Sequence, residues 1–199
     1  MNIENFWNVI EQCKECVRPE FKLQRILEGL STEDVKGFQR HFDTLDTNAC
    51  RFDIHAAARL LNGGCDAREF TDFRRGLIVK GRSVYESTLK NPDHLHTLWD
   101  QRRINDDAVH YVALGVYAAR LGGDWDEALD EIYSGFSSEQ DICIDGALFE
   151  FPDIDSWDVE NEQENRKHLP RLSELYYDSL YSAHVKWVNG TRRALVQLL

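Results

Sequence analysis

Hydrophobic positions recur at helical spacing through the first half of this chain and predict a series of amphipathic helices. Residues three or four apart lie on the same side of an α-helix, so an apolar stripe at that spacing marks a buried face. The stripes are Ile3, Phe6, Trp7 and Ile10; Phe21, Ile26, Leu27 and Leu30; Val35, Phe38, Phe42 and Leu45; Ile54, Ala57, Ala58 and Leu61; and Phe70, Phe73, Leu77 and Ile78. We therefore expect five consecutive helices in this half.

The second half continues the pattern with one interruption. Further stripes are Val84, Tyr85 and Leu89; Leu95, Leu98 and Trp99; Trp125, Ala128, Leu129 and Ile132; and Leu172, Leu175, Tyr176 and Leu180. Asp106 and Asp107 open another helix, whereas residues 135–165 show no sustained period. At Asn189-Gly190 a helix stop is preferred over a hairpin turn. The predicted fold class is all-α, a single compact multi-helix domain over residues 1–199 with at most a short strand or hairpin in its C-terminal third.

Capping residues mark several of the predicted helix ends. Ser31 has the position of an N-cap with an acidic residue three positions later, and Asp66 with Glu69 forms the same pattern. Gly63 follows the alanine-rich helix, where glycine accepts the left-handed conformation of a helix terminus. Cys65 consequently stands just before a helix start, between two helices.

Length and cysteine content bound the class of protein. A chain of 199 residues supports one sizeable core. Its first residues lack the basic cluster and apolar run of a signal peptide, and no stretch approaches the roughly 20 apolar residues of a membrane span. The five dispersed cysteines favour reduced thiols over a disulfide framework. We therefore expect a cytoplasmic protein without a membrane partner.

Acidic residues are concentrated in one window of the chain. Residues 121–165 hold fifteen Asp or Glu and no Lys or Arg, which leaves 20 acidic against 23 basic residues elsewhere. This asymmetry argues against direct nucleic-acid binding, which needs clustered Lys and Arg. A solvated loop that aids solubility remains an equally good explanation of the charge alone.

The stretch LFEFPDIDSWDVENEQEN, residues 148–165, mixes aromatic rings with carboxylates. Protein interfaces use aromatic anchors in this way, and acidic side chains speed encounter with a basic partner. The sequence therefore predicts a protein-binding module whose acidic segment docks on a basic protein, as an immunity protein or antitoxin does on a nuclease-type toxin. The expected partner-binding residues are Glu150, Phe151, Asp153, Asp155, Trp157, Asp158 and Glu160.

Several stretches together resemble a bacterial domain-of-unknown-function family, DUF4240. They are FWNVIE at 6–11, FQRHFDTL at 38–45, the long segment from Arg51 to Leu95 and, more weakly, HLPRLSELY at 168–176. The family-like core is residues 5–95, followed by the acidic segment 121–165 and a C-terminal helical part 166–199. The resemblance implies an all-helical fold and no settled activity. This chain departs from it at Asp66, where relatives carry serine, and at His55, where they carry tryptophan.

Two alternatives to protein binding stay open. An enzyme or small-ligand binder would use Cys65 as nucleophile, with His41 or His55 as base and Arg74 in support. A self-associating protein would instead join two copies through Leu195, Val196, Leu198 and Leu199, so a homo-oligomer is also considered. The CKEC stretch has the spacing of half a zinc site but no second ligand pair follows it. No metal and no cofactor are therefore expected.

Overall fold

The computed structural model describes residues 1–101, 104, 106, 108–134 and 156–178 of the chain. The helices of the first half are α1 (Ile3–Cys13), α2 (Pro19–Glu28), α3 (Thr32–Asn48), α4 (Phe52–Asn62), α5 (Ala67–Val79) and α6 (Arg82–Lys90). A 3₁₀ helix (Pro92–Gln101) follows, and a second one (Val109–Tyr111) leads into α7 (Val112–Arg120), α8 (Trp125–Tyr133), α9 (Glu162–His168) and α10 (Pro170–Asp178). No strand occurs in these ranges, so the all-α prediction is confirmed.

The predicted caps form as the sequence indicates. The Ser31 hydroxyl accepts a hydrogen bond from the Asp34 N–H at 3.1 Å. Asp66 and Glu69 form a full capping box, with reciprocal bonds of 2.8 and 3.0 Å. Gly63 ends α4 at φ 73°, in the left-handed region that glycine adopts without steric cost. Each of these helix ends is thus determined by residues within the same few positions of the chain.

α3 lies at the centre of the fold, packed against α1, α5, α7 and α8. Its Phe38 ring is 4.8 Å from that of Phe6 on α1 and 6.3 Å from that of Phe42, and all three are fully buried. On the outer side α7 packs against α2 and α8, whereas α10 packs against α4, α9 and the first 3₁₀ helix. Two groups of helices therefore flank the α3–α5 centre.

Three expectations about these elements are corrected. The stripe of Leu95, Leu98 and Trp99 belongs to a 3₁₀ helix, which begins at Pro92. Phe21 was expected on the buried face of α2, but it is 52% exposed because Leu23 and Leu27 fill that face. On α8 only Ala128 and Ile132 are buried, and two residues predicted to share their face, Trp125 and Leu129, are exposed.

Asp93 ties the first 3₁₀ helix to the start of α10. Its carboxylate accepts hydrogen bonds from the backbone N–H groups of Arg171 at 3.2 Å and Leu172 at 3.0 Å. These are the second and third residues of α10, the positions that an N-cap side chain normally satisfies. Leu169 and Pro170 supply no capping oxygen from their side chains. A carboxylate from far along the chain therefore caps this helix.

Candidate functional site

Three of the seven predicted partner-binding residues lie in the described part of the chain: Trp157, Asp158 and Glu160. Glu150, Phe151, Asp153 and Asp155 lie outside the described residues. The Trp157 ring stacks on His168 at 4.2 Å and meets the Phe52 edge at 4.8 Å, while its N–H donates to Asn165 at 2.8 Å. Trp157 thus anchors the end of the acidic window to α4 and α9.

The two carboxylates beside Trp157 also make contacts within the molecule. Glu160 is paired with Arg59 of α4, and its N–H donates to Asp158 at 3.0 Å in a local turn. The Glu160 side chain is 75% exposed and that of Arg59 is 23% exposed, so this pair lies at the solvent boundary and contributes little stability. The role of the two carboxylates in binding a partner stays a prediction, and the pairing with Arg59 weakens the negative potential there.

The described part of the acidic window also contains α8, whose outer face combines charge with apolar surface. Trp125 and Leu129 are 47% and 39% exposed, and Asp126, Glu127 and Asp130 beside them are exposed too. The helix carries no Lys or Arg. This outer face of α8 therefore has the composition that the sequence analysis assigned to residues 148–165.

Polar contacts on the inner side hold α8 against α3. Lys36 pairs with Glu131 at 2.8 Å, and the same carboxylate accepts a hydrogen bond from Tyr117 of α7. The Arg40 Nε donates to the Ile132 carbonyl at 2.7 Å, where a cation complements the C-terminal end of the helix. Because these contacts use the inner side of α8, its outer carboxylates remain directed to solvent.

An open groove of about 540 Å³ lies between α2 and α7. Its floor is apolar, and the exposed rings of Phe21 and Tyr111 flank it. Two carboxylates, Glu20 and Glu28, lie on the α2 side. Gly115 in the floor faces α8, since a methyl group added there would lie 3.5 Å from the Trp125 indole, an ordinary van der Waals distance. We call this feature the α2–α7 groove; it lies directly beside α8.

Arg120 fixes the width of the α2–α7 groove. Its guanidinium reaches across from α7 and donates to the carbonyls of Leu27, Glu28 and Leu30 at 3.1, 3.3 and 3.0 Å. The last carbonyls of α2 have no partners within their own helix, and an arginine satisfies several of them at once. The groove is consequently a preformed feature that does not depend on a bound molecule.

The residues considered for thiol chemistry, Cys65 with His41 or His55, do not form a nucleophile–base pair. Burial, together with the Glu69 and Asp66 carboxylates of the capping box, raises the pKa of the Cys65 thiol to about 12. The Nε2 atom of His55 lies 3.0 Å from the Cys65 backbone carbonyl, and burial lowers the pKa of this imidazole. The neutral His55 imidazole donates a hydrogen bond to the Cys65 carbonyl and so stabilises the packed corner between α4 and α5. The Cys65 thiol stays protonated at neutral pH.

His41 and Arg74 have structural surroundings of their own. The His41 Nε2 lies 3.1 Å from the Met1 carbonyl, and its ring packs against Phe6. Arg74 is fully buried and its Nε is 3.1 Å from Asp46. None of these contacts involves the Cys65 thiol.

A buried ionic cluster was not predicted from the sequence. Asp46 of α3 faces Arg74 and also Arg75, whose Nε is 3.5 Å from the second carboxylate oxygen. Burial raises the pKa of Asp46 although both arginines act in the opposite direction. One turn away, the Asp43 carboxylate accepts hydrogen bonds from the Gln39 amide at 3.0 Å and from the Tyr133 hydroxyl. Such clusters occur at functional sites but also as internal braces, and this one joins α3, α5 and α8.

The two cysteines of the CKEC stretch have different surroundings. Cys13 is buried, and burial raises its pKa to about 11, whereas Cys16 is exposed and its thiol faces the Gln12 carbonyl at 3.9 Å. No group of three or more His, Cys, Asp or Glu that could hold a metal ion occurs in these ranges. In the same ranges, no helix combines the length and the apolar character that crossing a bilayer requires.

The fold and its surfaces define an all-helical domain with a preformed apolar groove and an acidic helix beside it. The chain belongs to the DUF4240 family, described as a protein of unknown function, whose family model matches residues 1–120. That match includes both walls of the α2–α7 groove and stops at the last residue of α7, before α8. No curated protein and no solved structure matches the chain.

Proposed function

We propose that this protein is a protein-binding module, an immunity- or antitoxin-type inhibitor whose acidic surface docks on a basic effector protein. The observation that carries the proposal is the outer face of α8, where Trp125 and Leu129 are exposed among carboxylates and no basic residue shares the helix. Aromatic and aliphatic side chains supply the buried centre of an interface, while surrounding charges steer the encounter and select the partner.

A basic effector protein is complementary to an acidic surface of this kind. An enzyme that acts on nucleic acid carries clustered Lys and Arg to hold the phosphate backbone. An acidic surface with its own apolar anchors competes for that cationic site by matching its charge and excluding water. The proposal places the protein in the cytoplasm, in keeping with the free thiols of Cys13, Cys16 and Cys65.

Charge reversal on a purified pair tests the proposal. The tagged protein first captures its partner from the native host, and the purified partner is then titrated against variants by calorimetry at several salt concentrations. We expect Asp126→Lys with Asp130→Lys to weaken binding by at least about tenfold, and the partner's activity to return. The wild-type affinity should fall as salt rises, because surface charges are screened.

The matched control is Glu15→Lys with Glu174→Lys, which changes the net charge equally at two exposed positions outside the acidic window. This control should bind as the wild type does. A parallel variant reverses Asp153, Asp155, Asp158 and Glu160 and asks whether the second half of the window contributes. Unchanged affinity in both window variants would refute an acidic docking surface.

A further inference from the structure

A tight turn joins the two cysteines of the CKEC stretch, Cys13 and Cys16. The Cys16 N–H donates to the Cys13 carbonyl at 2.9 Å, and Lys14 between them has a right-handed helical conformation. A hydrogen bond from the fourth residue back to the first defines a β-turn, whose outer Cα atoms lie less than about 7 Å apart. A disulfide needs Cα atoms about 4.4–6.8 Å apart. The backbone of this turn therefore has the separation that a Cys13–Cys16 disulfide requires.

The two thiols also lie close to each other. The Cys16 Sγ is 3.9 Å from the carbonyl of Gln12, the residue directly before Cys13. The Cys16 thiol is near enough to help raise the pKa of Cys13 by charge repulsion, after the larger effect of burial. Because Cys16 is exposed, its side chain can rotate toward Cys13 without displacing core residues.

The pair combines an accessible thiol with a buried one. Cys16 is exposed to solvent, whereas Cys13 is only 3% exposed. Thiol–disulfide exchange proceeds through a mixed disulfide, so one thiol must meet the reactant and a second must displace it. The exposed Cys16 is suited to the first step and the adjacent Cys13 to the second.

The position of the pair at the end of α1 favours its oxidised form. A thiolate stabilised at a helix N-terminus favours the reduced pair and makes the corresponding disulfide a strong oxidant. Cys13 is instead the last residue of α1, at the negative end of the helix dipole, and burial raises the pKa of its thiol to about 11. Because the Cys13 thiolate is disfavoured, we expect a disulfide here to be a weak oxidant that persists once it has formed.

We propose that Cys13 and Cys16 form a redox site that exchanges with small-molecule disulfides of the glutathione class. The Cys16 thiol gives up its proton and attacks one sulfur of the small disulfide, which releases one small thiol and leaves a mixed disulfide on Cys16. The Cys13 thiol then gives up its proton and attacks the Cys16 sulfur. The Cys13–Cys16 bond forms and the second small thiol leaves, so two electrons and two protons pass to the small disulfide.

This site is independent of the proposed function, since it lies on α1 and uses no residue of α8. A reversible bond of this kind is also compatible with a reducing compartment, where protein disulfides are transient and redox-sensing. Oxidation of the full chain by glutathione disulfide tests the proposal. After an acid quench, the remaining thiols are alkylated and the cysteine peptides are identified by mass spectrometry.

We expect the wild type to lose two hydrogens and to yield a Cys13–Cys16 link. Cys13→Ala should stop at a mixed disulfide of Cys16 with glutathione. Cys16→Ser, at an exposed position, should leave the buried Cys13 unmodified while the far-UV circular dichroism keeps its helical shape. Cys50→Ser is the matched control and should form the link as the wild type does. A wild type that stays reduced, keeps glutathione on Cys16, or pairs Cys16 with any other cysteine would overturn the proposal.

Discussion

Replacing Asp93 by alanine tests the long-range cap of α10. The carboxylate is buried and accepts the N–H groups of Arg171 and Leu172, and the Leu172 N–H is itself buried. A buried donor left without a partner costs about 1–3 kcal/mol, and the loss of a charge at a helix N-terminus adds up to about 1 kcal/mol. We therefore expect Asp93→Ala to lower the free energy of unfolding by about 3 kcal/mol.

The conservative variant removes the charge and one of the two acceptors, since Oδ1 accepts from the Leu172 N–H and Oδ2 from the Arg171 N–H. Asp93→Asn keeps one acceptor oxygen, so we expect it to lose only about 1 kcal/mol, within the usual range for a weakened cap. Urea unfolding followed by circular dichroism measures both losses, and amide exchange at Arg171 and Leu172 should accelerate first in α10. Asp130→Ala, at an exposed position of α8, is the control and should change stability by less than about 0.5 kcal/mol.

A small effect of Asp93→Ala on stability would refute this reasoning. If Asp93→Ala unfolds within about 0.5 kcal/mol of the wild type, the carboxylate is not the cap that holds α10 in place. Unchanged exchange at Leu172 in a destabilised Asp93→Ala would locate the loss elsewhere, in the first 3₁₀ helix itself.

Three further predictions concern the corners between helices. In the native protein iodoacetamide should label Cys16 and leave Cys65 unmodified at about pH 8, since its raised pKa keeps the thiol protonated; a labelling midpoint near about 8.5 would revive the thiol enzyme. Burial lowers the folded pKa of His55, so stability that is present above about pH 6.5 should be lost as the pH falls below that value, through the interval down to the folded pKa. His55→Gln should lose less stability over that interval in urea titrations, and equal losses would contradict the assignment. Gly81→Ala should cost about 1–3 kcal/mol in thermal melts, because φ is 95° and the new methyl group would lie 2.6 Å from a Glu11 oxygen; a wild-type melting temperature would exclude this strain.

Much of the helical architecture could be predicted because it is encoded locally. The apolar stripe of α1, the Ser31 cap and the Asp66–Glu69 capping box each involve residues within one or two turns. A short sequence window contains all the partners of such a bond. The same holds for Gly63, whose positive φ follows from its place after an alanine-rich helix.

The candidate site was less predictable because exposure depends on neighbours. Trp125 has the spacing of a core residue, yet α8 packs through Ala128 and Ile132 and leaves the indole outside. Trp157 packs against Phe52 and His168 within the molecule, and its role in binding a partner stays a prediction. An aromatic residue within acidic sequence fits either position, and only the helix that packs beside it decides.

The sequence by itself determined where several helices of the first half begin and end, since periodicity and local capping are interactions between residues close in the chain. Only the tertiary structure decided that Asp93 caps α10, that Asp46 is buried with Arg74, and that α2 and α7 leave a groove between them. The physical reason is that these contacts join residues far apart in the chain. Their strength depends on burial, which no residue possesses until the helices have packed.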